Sequence, residues 1–190
     1  MTRKRILYMR VITGSARGTK IETLSGMDVR PTADRVKEAL FSILQFELEG
    51  RRVLDLFAGS GQLGIEALSR GAALAVFVDA SRESVELVKR NLARTHLEKQ
   101  ARVITGDAIA FLNGKHEPFD IALLDPPYRK GLLAEALPLM ERVMKPTGII
   151  VCEHPEDEEL PEKTGAFVRL RTYRYGKIRL TTYRIPTDAE

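Results

Sequence analysis

The segment "IALLDPPYRKG" at residues 121–131 places an acid, two prolines and a tyrosine at the end of an apolar run. Proline has no backbone N–H to donate, and it restricts the residue before it to an extended conformation. Asp125 and Pro126 are therefore predicted to be extended where a strand ends, with carbonyl groups that lack ladder partners. The segment would form a stiff row of hydrogen-bond acceptors beside the aromatic ring of Tyr128.

Such a row of acceptors suits the exocyclic amine of a nucleobase. The lone pair of this amine is delocalised into the ring, so the nitrogen attacks poorly. If the Asp125 carboxylate and the Pro126 carbonyl bound its two N–H groups, the nitrogen could become pyramidal and aim its lone pair at an electrophilic methyl group. Pro126 and Pro127 would fix the acceptors before the substrate binds, and Tyr128 could stack on the base. By itself, the motif could also be only a strand-ending turn.

A glycine-rich loop follows an earlier apolar strand, in "VLDLFAGSGQLGIEALSRG". Gly59, Gly61 and Gly64 match the pattern G-x-G-x-x-G, and Asp79 lies 20 residues after Gly59. Between a strand and a helix, this pattern indicates a site for a cofactor that contains adenosine, with the acid binding the ribose hydroxyls. The alternative is a tight turn that binds no ligand.

Two further acids refine the cofactor hypothesis. Asp55 lies four residues before Gly59, where the pyrophosphate of NAD would have to bind, and a carboxylate there would repel phosphate. The ammonium and sulfonium groups of S-adenosylmethionine suit this position, and the methionine carboxylate could bind amides at the helix start. Asp107 in "TGDAIAFL" could accept a hydrogen bond from the adenine amine. Either acid could instead be a structural cap, Asp107 for a helix at residues 108–112.

The composition is that of one globular domain, with 190 residues and a net charge of +4. No apolar run approaches the roughly 18 residues of a membrane span. Cys152 is the only cysteine and the three histidines are dispersed, so neither an internal disulfide nor a zinc site is expected. The sequence therefore predicts a cytoplasmic protein that binds no metal and no membrane.

Basic residues are concentrated towards the two ends of the chain. Residues 1–20 contain six basic residues and no acid, and residues 165–187 contain six more basic residues. This segregation favours a polyanion as partner. The alternative is that the charges only solvate two exposed strand faces. The candidate contacts to RNA are Arg10, Arg17, Lys20, Arg174 and Lys177.

Short apolar runs alternate with helical segments through the middle of the chain. This alternation predicts βαβ units and a doubly wound α/β fold with a mostly parallel central sheet. The predicted strands are 53–57, 74–79, 101–106, 119–125 and 148–153, and the predicted helices are 62–70, 81–96, 107–112 and 132–143. A C-terminal antiparallel hairpin is predicted around Tyr175–Gly176. A small β-hairpin and a helix at 33–46 are predicted before the core.

Together these motifs resemble the RsmD family of bacterial methyltransferases. The resemblance begins at Met9 and rests on "MRVITGSARG", "RPTADRVKEALFSIL", "LDLFAGSGQLGIEALSRGA", "FVDAS" and "LLDPPY". It implies a Rossmann-like fold that uses S-adenosylmethionine to methylate the exocyclic amine (N2) of a guanine. The implied substrate is 16S ribosomal RNA, either free or in the small ribosomal subunit.

The resemblance also implies roles for individual residues. Catalysis would fall on Asp125, Pro126, Pro127 and Tyr128. The implied cofactor pocket comprises Asp55, Phe57, Gly59, Gly61, Asp79, Asp107 and Ala108, with Thr32 and Arg35 in a segment that closes over it. The expected organisation is one methyltransferase domain over 1–190, with a hairpin and helix at 1–50 and a Rossmann-like core at 51–190. Residues 1–8 add four charged or polar groups with no clear partner, and these eight residues are expected to be dispensable.

Other functions explain fewer of these features. A nicotinamide oxidoreductase would explain the glycines but not Asp55 or the paired prolines. A cytosine carbon-5 methyltransferase needs a nucleophilic cysteine at the fourth core strand, whereas Cys152 lies in the fifth and is expected to be core. A DNA adenine N6-methyltransferase shares Asp-Pro-Pro-Tyr, but the sequence contains no separate target-recognition domain. A methyltransferase acting on protein glutamine more typically has asparagine in place of Asp125. Outside the enzymes, the alternative is a non-catalytic RNA-binding protein.

Overall fold

The computed structural model describes residues 7–23 and 31–187, and for residues 31–33 it describes the backbone alone. Within these ranges the chain forms ten strands and five α-helices. The strands are β1 (Leu7–Arg10), β2 (Lys20–Thr23), β3 (Arg52–Asp55), β4 (Leu74–Asp79), β5 (Ala101–Thr105), β6 (Phe119–Leu124), β7 (Met144–Pro155), β8 (Lys163–Thr164), β9 (Phe167–Tyr175) and β10 (Ile178–Arg184). The helices are α1 (Pro31–Ile43), α2 (Gln62–Ser69), α3 (Arg82–Thr95), α4 (Ala108–Leu112) and α5 (Leu132–Ala136). None of the helices in the described ranges is long and apolar enough to span a membrane.

Eight of these strands form one sheet in the order β5-β4-β3-β6-β7-β10-β9-β8. The strands from β5 to β7 are parallel, and helical crossovers connect them along the chain. The strands β10, β9 and β8 extend the sheet in antiparallel pairs, which include the predicted C-terminal hairpin. The predicted α/β class, with a mostly parallel sheet and an antiparallel end, is confirmed.

The parallel strands are buried on both faces of the sheet. All six residues of β6 are buried. Ile121 and Leu123 belong to one core cluster, whereas Ala122 and Leu124 belong to the other. The helices α1, α2 and α3 contribute to the first cluster, and α4 and α5 contribute to the second. A strand covered on both faces must be apolar throughout, which is why these runs predicted a parallel core.

The N-terminal hairpin is a separate antiparallel sheet of β1 and β2. Leu7 pairs with Thr23 and Tyr8 pairs with Glu22. The Arg94 guanidinium lies 5.9 Å from the centre of the Tyr8 ring. Leu7 and Tyr8 therefore have partners, residues 1–6 lie outside the described ranges, and the dispensability of residues 1–8 stays a prediction.

Several predicted boundaries differ from the structure. The helix predicted at 132–143 is α5 followed by a 3-10 helix over Leu137–Arg142. Pro138 has no N–H and would clash with an earlier carbonyl in a continuing α-helix, so the α-helix ends before it. Strand β7 begins at Met144 because this residue pairs with Phe119 ahead of a register shift. The helix predicted at 33–46 is shifted to Pro31–Ile43.

Candidate active site

The strand order reverses between β3 and β6, which lie side by side in the sheet. In open α/β sheets, ligands bind beyond the carboxyl ends of the strands at such a reversal. The glycine loop leaves β3 after Asp55, and the Asp-Pro-Pro-Tyr segment leaves β6 after Leu124. The fold therefore brings the two motifs to adjacent strand ends.

The glycine loop turns the chain tightly from β3 into α2. Gly61 precedes the helix with a φ of 79°, in the left-handed region that a residue with a side chain rarely adopts. Gly64 is needed for packing, because a Cβ atom there would lie 2.3 Å from the Phe77 ring of β4. The second glycine of the motif thus shapes the turn, and the third lets α2 approach the sheet.

Asp55 lies beneath this loop with only 1% of its surface exposed. Its Oδ2 accepts a hydrogen bond from the Gly64 N–H at 2.9 Å, so Asp55 has the capping role left open by the sequence. Burial raises the pKa of Asp55 to about 7, against the effect of the Gly64 amide and with a further increase from the charge of Asp79. A carboxylate has lone pairs for more than one donor, so capping is compatible with binding a cation.

Asp79 fastens the glycine loop to the neighbouring strand. Its Oδ2 accepts from the Gly59 N–H at 2.9 Å, and its Oδ1 accepts from the Ser81 N–H at 2.8 Å. Asp107 caps α4 by accepting from the Ala110 N–H at 2.8 Å, as the sequence suggested. Because β4 and β5 are adjacent and parallel, both acids lie at the same edge of the sheet as the glycine loop.

The Asp-Pro-Pro-Tyr segment begins directly beyond β6, with its first proline buried and its second exposed. Tyr128 is 39% exposed, and its hydroxyl donates a hydrogen bond to Oε1 of Glu153 at 2.9 Å. The next residue, Arg129, has a φ of 61°, which is uncommon for a residue with a side chain. The chain therefore turns sharply after the motif, and the Tyr128 ring remains partly open to solvent.

Glu153 is a second acid beside Asp125. The strands β6 and β7 are parallel, with Leu124 opposite Cys152, so Asp125 and Glu153 follow at the same level. Burial raises the pKa of Asp125 well above its usual range, and the charge of Glu153 raises it further. Burial also raises the pKa of Glu153, against the effect of its hydrogen bond from Tyr128. Glu153 was not predicted from the sequence, although an acid at the end of an apolar strand was the available signal.

Asp55, Asp125 and Glu153 place three acidic groups at this edge of the sheet. Asp55 lies opposite Leu123, and side chains alternate along a strand, so Asp125 shares the face of Asp55. Within the described ranges, no group of acids, histidines or cysteines is arranged to hold a metal ion. The site instead fits S-adenosylmethionine, whose ammonium and sulfonium suit the acids and whose carboxylate suits the amides of the glycine loop.

Comparisons with known proteins agree with this site. Residues 9–184 match the family described as Conserved hypothetical protein 95. YlbH of Bacillus subtilis, a proposed rRNA methyltransferase, is 40% identical over 181 residues, which cover 93% of this chain and 98% of YlbH. Ribosomal RNA small subunit methyltransferase D of Haemophilus influenzae is 36% identical over 180 residues, which cover 87% of this chain and 93% of that protein. The chain belongs to the RsmD family. The solved structure of yhhF from Escherichia coli, a proposed methyltransferase, resembles this chain with a TM-score of 0.82 and is 34% identical in sequence. The match covers 96% of this chain and 100% of the yhhF chain.

In this RsmD family member, Glu66 of α2 holds the N-terminal hairpin against the core. Glu66 is fully buried and accepts hydrogen bonds from the N–H groups of Ile12 at 2.8 Å and Thr13 at 3.0 Å. Arg70 donates to the same carboxylate at 2.9 Å, and the buried Lys37 ammonium lies 3.9 Å from it. This contact was not predicted from the sequence, where its signal was an acid among the apolar residues of a helix.

A second link joins the hairpin to the glycine loop through Asn91 of α3. The Asn91 amide donates to the Glu22 carbonyl at 2.8 Å and to the Ser60 carbonyl at 2.9 Å, and its oxygen accepts from the Glu22 N–H at 2.8 Å. Asn91 is fully buried. One side chain therefore connects β2 to the loop that surrounds the candidate cofactor site.

The residues predicted to contact RNA lie in two different places. Arg174 and Lys177 are exposed near the turn between β9 and β10. This turn is level with the carboxyl end of β7, because Ile178 pairs with Pro155. The basic end of the C-terminal hairpin is therefore at the same edge of the sheet as Glu153.

The basic residues of the N-terminal hairpin lie on its two strands and on the loop that joins them. Arg10 and Lys20 are exposed and pair with each other at the end of the hairpin. Arg17 is exposed in the loop that joins β1 to β2, where the nearby Ser15 N–H donates to the Ser69 carbonyl at 2.8 Å. Ser69 ends α2, which is about 12 Å long at 1.5 Å per residue, so this loop contacts the far end of the helix.

The remaining predicted residues have varied surroundings. Phe57 is half-buried in the glycine loop, and Ala108 is buried at the first turn of α4. Arg35 is exposed on α1, and the side chain of Thr32 lies outside what the structure describes. Cys152 is fully buried and burial raises the pKa of its thiol, as expected for a core residue.

Proposed function

We propose that the protein transfers a methyl group from S-adenosylmethionine to the exocyclic amine (N2) of a guanine in small-subunit (16S) ribosomal RNA. The observation that carries the proposal is the placement of Asp125–Tyr128 beside the glycine loop, at the adjacent carboxyl ends of β6 and β3. Membership of the RsmD family and the named activity of the Haemophilus relative support the choice of substrate.

The cofactor would bind at the carboxyl ends of β3, β4 and β5. S-adenosylmethionine supplies a methyl group bonded to a positively charged sulfur, from which it can be displaced. Asp55 would face the positive charges of the ligand. Asp79 has carboxylate lone pairs beyond those used by backbone amides, and these would accept from the ribose hydroxyls. Asp107 would accept from the adenine amine with the oxygen that does not cap α4.

The substrate amine would be held by Asp125 and the Pro126 carbonyl, with the base stacked on the partly exposed Tyr128 ring. Each acceptor binds one N–H of the amine and directs the nitrogen lone pair towards the methyl group. Transfer of the methyl group would leave the nitrogen positively charged and therefore acidic. Asp125 would act by accepting an N–H and positioning the amine rather than as a strong general base, because the proton can leave late.

The whole chain would act as one methyltransferase domain. Glu66 and Asn91 connect the N-terminal hairpin to α2, α3 and the glycine loop, so residues 1–50 would serve as an extension of the core at 51–190. We place Arg174 and Lys177 against RNA phosphates, because they are exposed at the catalytic edge of the sheet. Since ribosomal RNA is the substrate, the protein would act in the cytoplasm.

Methylation in vitro tests this function. Purified protein would be incubated with S-adenosylmethionine labelled in its methyl group and with 16S RNA or small subunits from cells lacking the gene. Nucleosides from the digested RNA would be separated by mass spectrometry, and labelled N2-methylguanosine is the expected product. Labelled N6-methyladenosine would contradict the proposed substrate amine. Absence of any labelled nucleoside with both substrates would contradict the proposed activity.

A further inference from the structure

We propose that Glu153 accepts a hydrogen bond from N1–H of the target guanine and so selects guanine over adenine. This inference rests on the proposed function, because it concerns the base bound at the same site. The mechanism described above uses Asp125 and Pro126 but leaves Glu153 without a chemical task. Its location beside these residues is what suggests one.

The position of Glu153 follows from the strand register. Leu124 lies opposite Cys152 in the parallel pair of β6 and β7, so the next residues, Asp125 and Glu153, end their strands side by side. The charge of Glu153 influences the pKa of Asp125, which agrees with this proximity. A base amine bound to Asp125 would therefore present its neighbouring ring atoms to Glu153.

The donor pattern of the base then decides whether Glu153 attracts or repels it. In guanine the amine is flanked by N1–H, so the edge offers three donors in total. Asp125, the Pro126 carbonyl and Glu153 supply three acceptors. In adenine the amine is flanked by the N1 lone pair, which would be repelled by a carboxylate because both groups are acceptors. A flipped-out base is commonly read through this Watson–Crick edge.

Tyr128 would keep Glu153 in place for this task. The Tyr128 hydroxyl donates to Oε1 at 2.9 Å, and Tyr128 is the one hydrogen-bond partner of the Glu153 side chain within residues 7–23 and 31–187. The bond also favours the ionised carboxylate, since it lowers a Glu153 pKa that burial raises. Tyr128, which is proposed to stack on the base, would thus also orient the Glu153 carboxylate that binds N1–H of the base.

A purely structural role for Glu153 makes a different prediction. If Glu153 served only to anchor the Tyr128 hydroxyl, Glu153→Gln would preserve that role, because the amide oxygen still accepts. Such a role would leave the choice of base unchanged. If Glu153 reads N1, the same variant gains an N–H that can donate to an unprotonated N1.

The experiment compares two purines at the target position in the small subunit. The position is located first in methylated natural RNA by mass spectrometry of oligonucleotide fragments, which keep the neighbouring sequence. Subunits are then assembled with 16S RNA that carries guanine or 2,6-diaminopurine there. The second base retains the 2-amino group but has a lone pair at N1. For the wild-type protein, kcat/KM should be roughly 10- to 100-fold lower with 2,6-diaminopurine, as for loss of one good base contact.

The variants show whether Glu153 causes this preference. Glu153→Gln should lose most of the discrimination or reverse it. Glu158→Gln is the matched control, because Glu158 also raises the pKa of Tyr128 but lines a separate cavity of about 360 Å³ with His154. The control should show the same ratio of kcat/KM with guanine to kcat/KM with 2,6-diaminopurine as the wild type.

Two results would overturn the inference while leaving the proposed function intact. One is equal use of both purines by the wild type, which requires no variant and is unaffected by misfolding. The other is a folded Glu153→Gln protein whose ratio of kcat/KM with guanine to kcat/KM with 2,6-diaminopurine equals that of the wild type. Failure to methylate natural guanine at all would refute the proposed function, and the inference would fall with it.

Discussion

Replacing Asp55 with asparagine should make the protein progressively more stable than the wild type as the pH rises from 5 to 8. Burial raises the pKa of Asp55 from 3.8 to about 7. The folded state therefore holds this proton more tightly than the unfolded state, and stability is lost as the pH rises between these two values. Asparagine stays neutral and can still accept from the Gly64 N–H that Asp55 binds at 2.9 Å.

The size of the effect follows from the two pKa values. At about 1.36 kcal/mol per pKa unit, ionisation of Asp55 costs about 2 kcal/mol at pH 5 and about 4 kcal/mol at pH 8. The difference in free energy of unfolding between Asp55→Asn and the wild type should therefore grow by about 2–3 kcal/mol over this range. Any constant effect of exchanging the two side chains cancels in this comparison.

Urea denaturation without cofactor, followed by circular dichroism at pH 5, 6, 7 and 8, measures this difference. Equal m-values would establish that the two proteins expose the same amount of surface when they unfold. Glu156→Gln, which removes an acid from an exposed position, should follow the wild-type curve and serves as the control. A difference that stays constant across the pH range would refute the reasoning about Asp55.

Three further predictions concern catalysis, RNA binding and the hairpin. Asp125→Ala should lower single-turnover methylation of ribosomal RNA roughly 100- to 1,000-fold, whereas Asp125→Asn keeps an acceptor oxygen and should retain measurable activity. Near-normal turnover of a folded Asp125→Ala protein would remove Asp125 from the mechanism. Neutralising Arg174 and Lys177 together should reduce the slope of log K against log salt for RNA by roughly 1.5–2, and neutralising Arg17 should change it less. An equal or larger change at Arg17 would mean that RNA extends along the N-terminal loop. Glu66→Ala should lower the free energy of unfolding by about 3–5 kcal/mol in urea denaturation, because it leaves buried donors unpaired, and a loss below 1 kcal/mol would contradict this account.

The sequence predicted the parallel core well for a physical reason. A strand covered by helices on both faces has to be apolar throughout, so runs such as "FDIALL" are visible without knowledge of their partners. The glycine loop could be predicted for a similar reason, since its turn and its close packing admit only glycine at Gly61 and Gly64. In both cases the constraint acts on the local chain.

The missed residues depend instead on contacts between distant segments. Glu153 gains its place from strand pairing and from Tyr128, which is 25 residues away. Glu66 is buried because it binds backbone amides 53 and 54 residues earlier. An acid in an apolar helix does not reveal which amides it will meet. Asp55 shows the same limit, because its capping bond to Gly64 depends on how the loop closes.

The most direct test of the central claim compares ribosomal RNA from cells with and without this gene. Nucleosides from purified 16S RNA would be quantified by mass spectrometry, with complementation by the wild-type gene and by Asp125→Ala. We predict that deletion removes one N2-methylguanosine per 16S RNA, that the wild-type gene restores it, and that Asp125→Ala restores much less. Unchanged N2-methylguanosine in the 16S RNA of the deletion strain would contradict the claim that this protein methylates a guanine amine of small-subunit RNA.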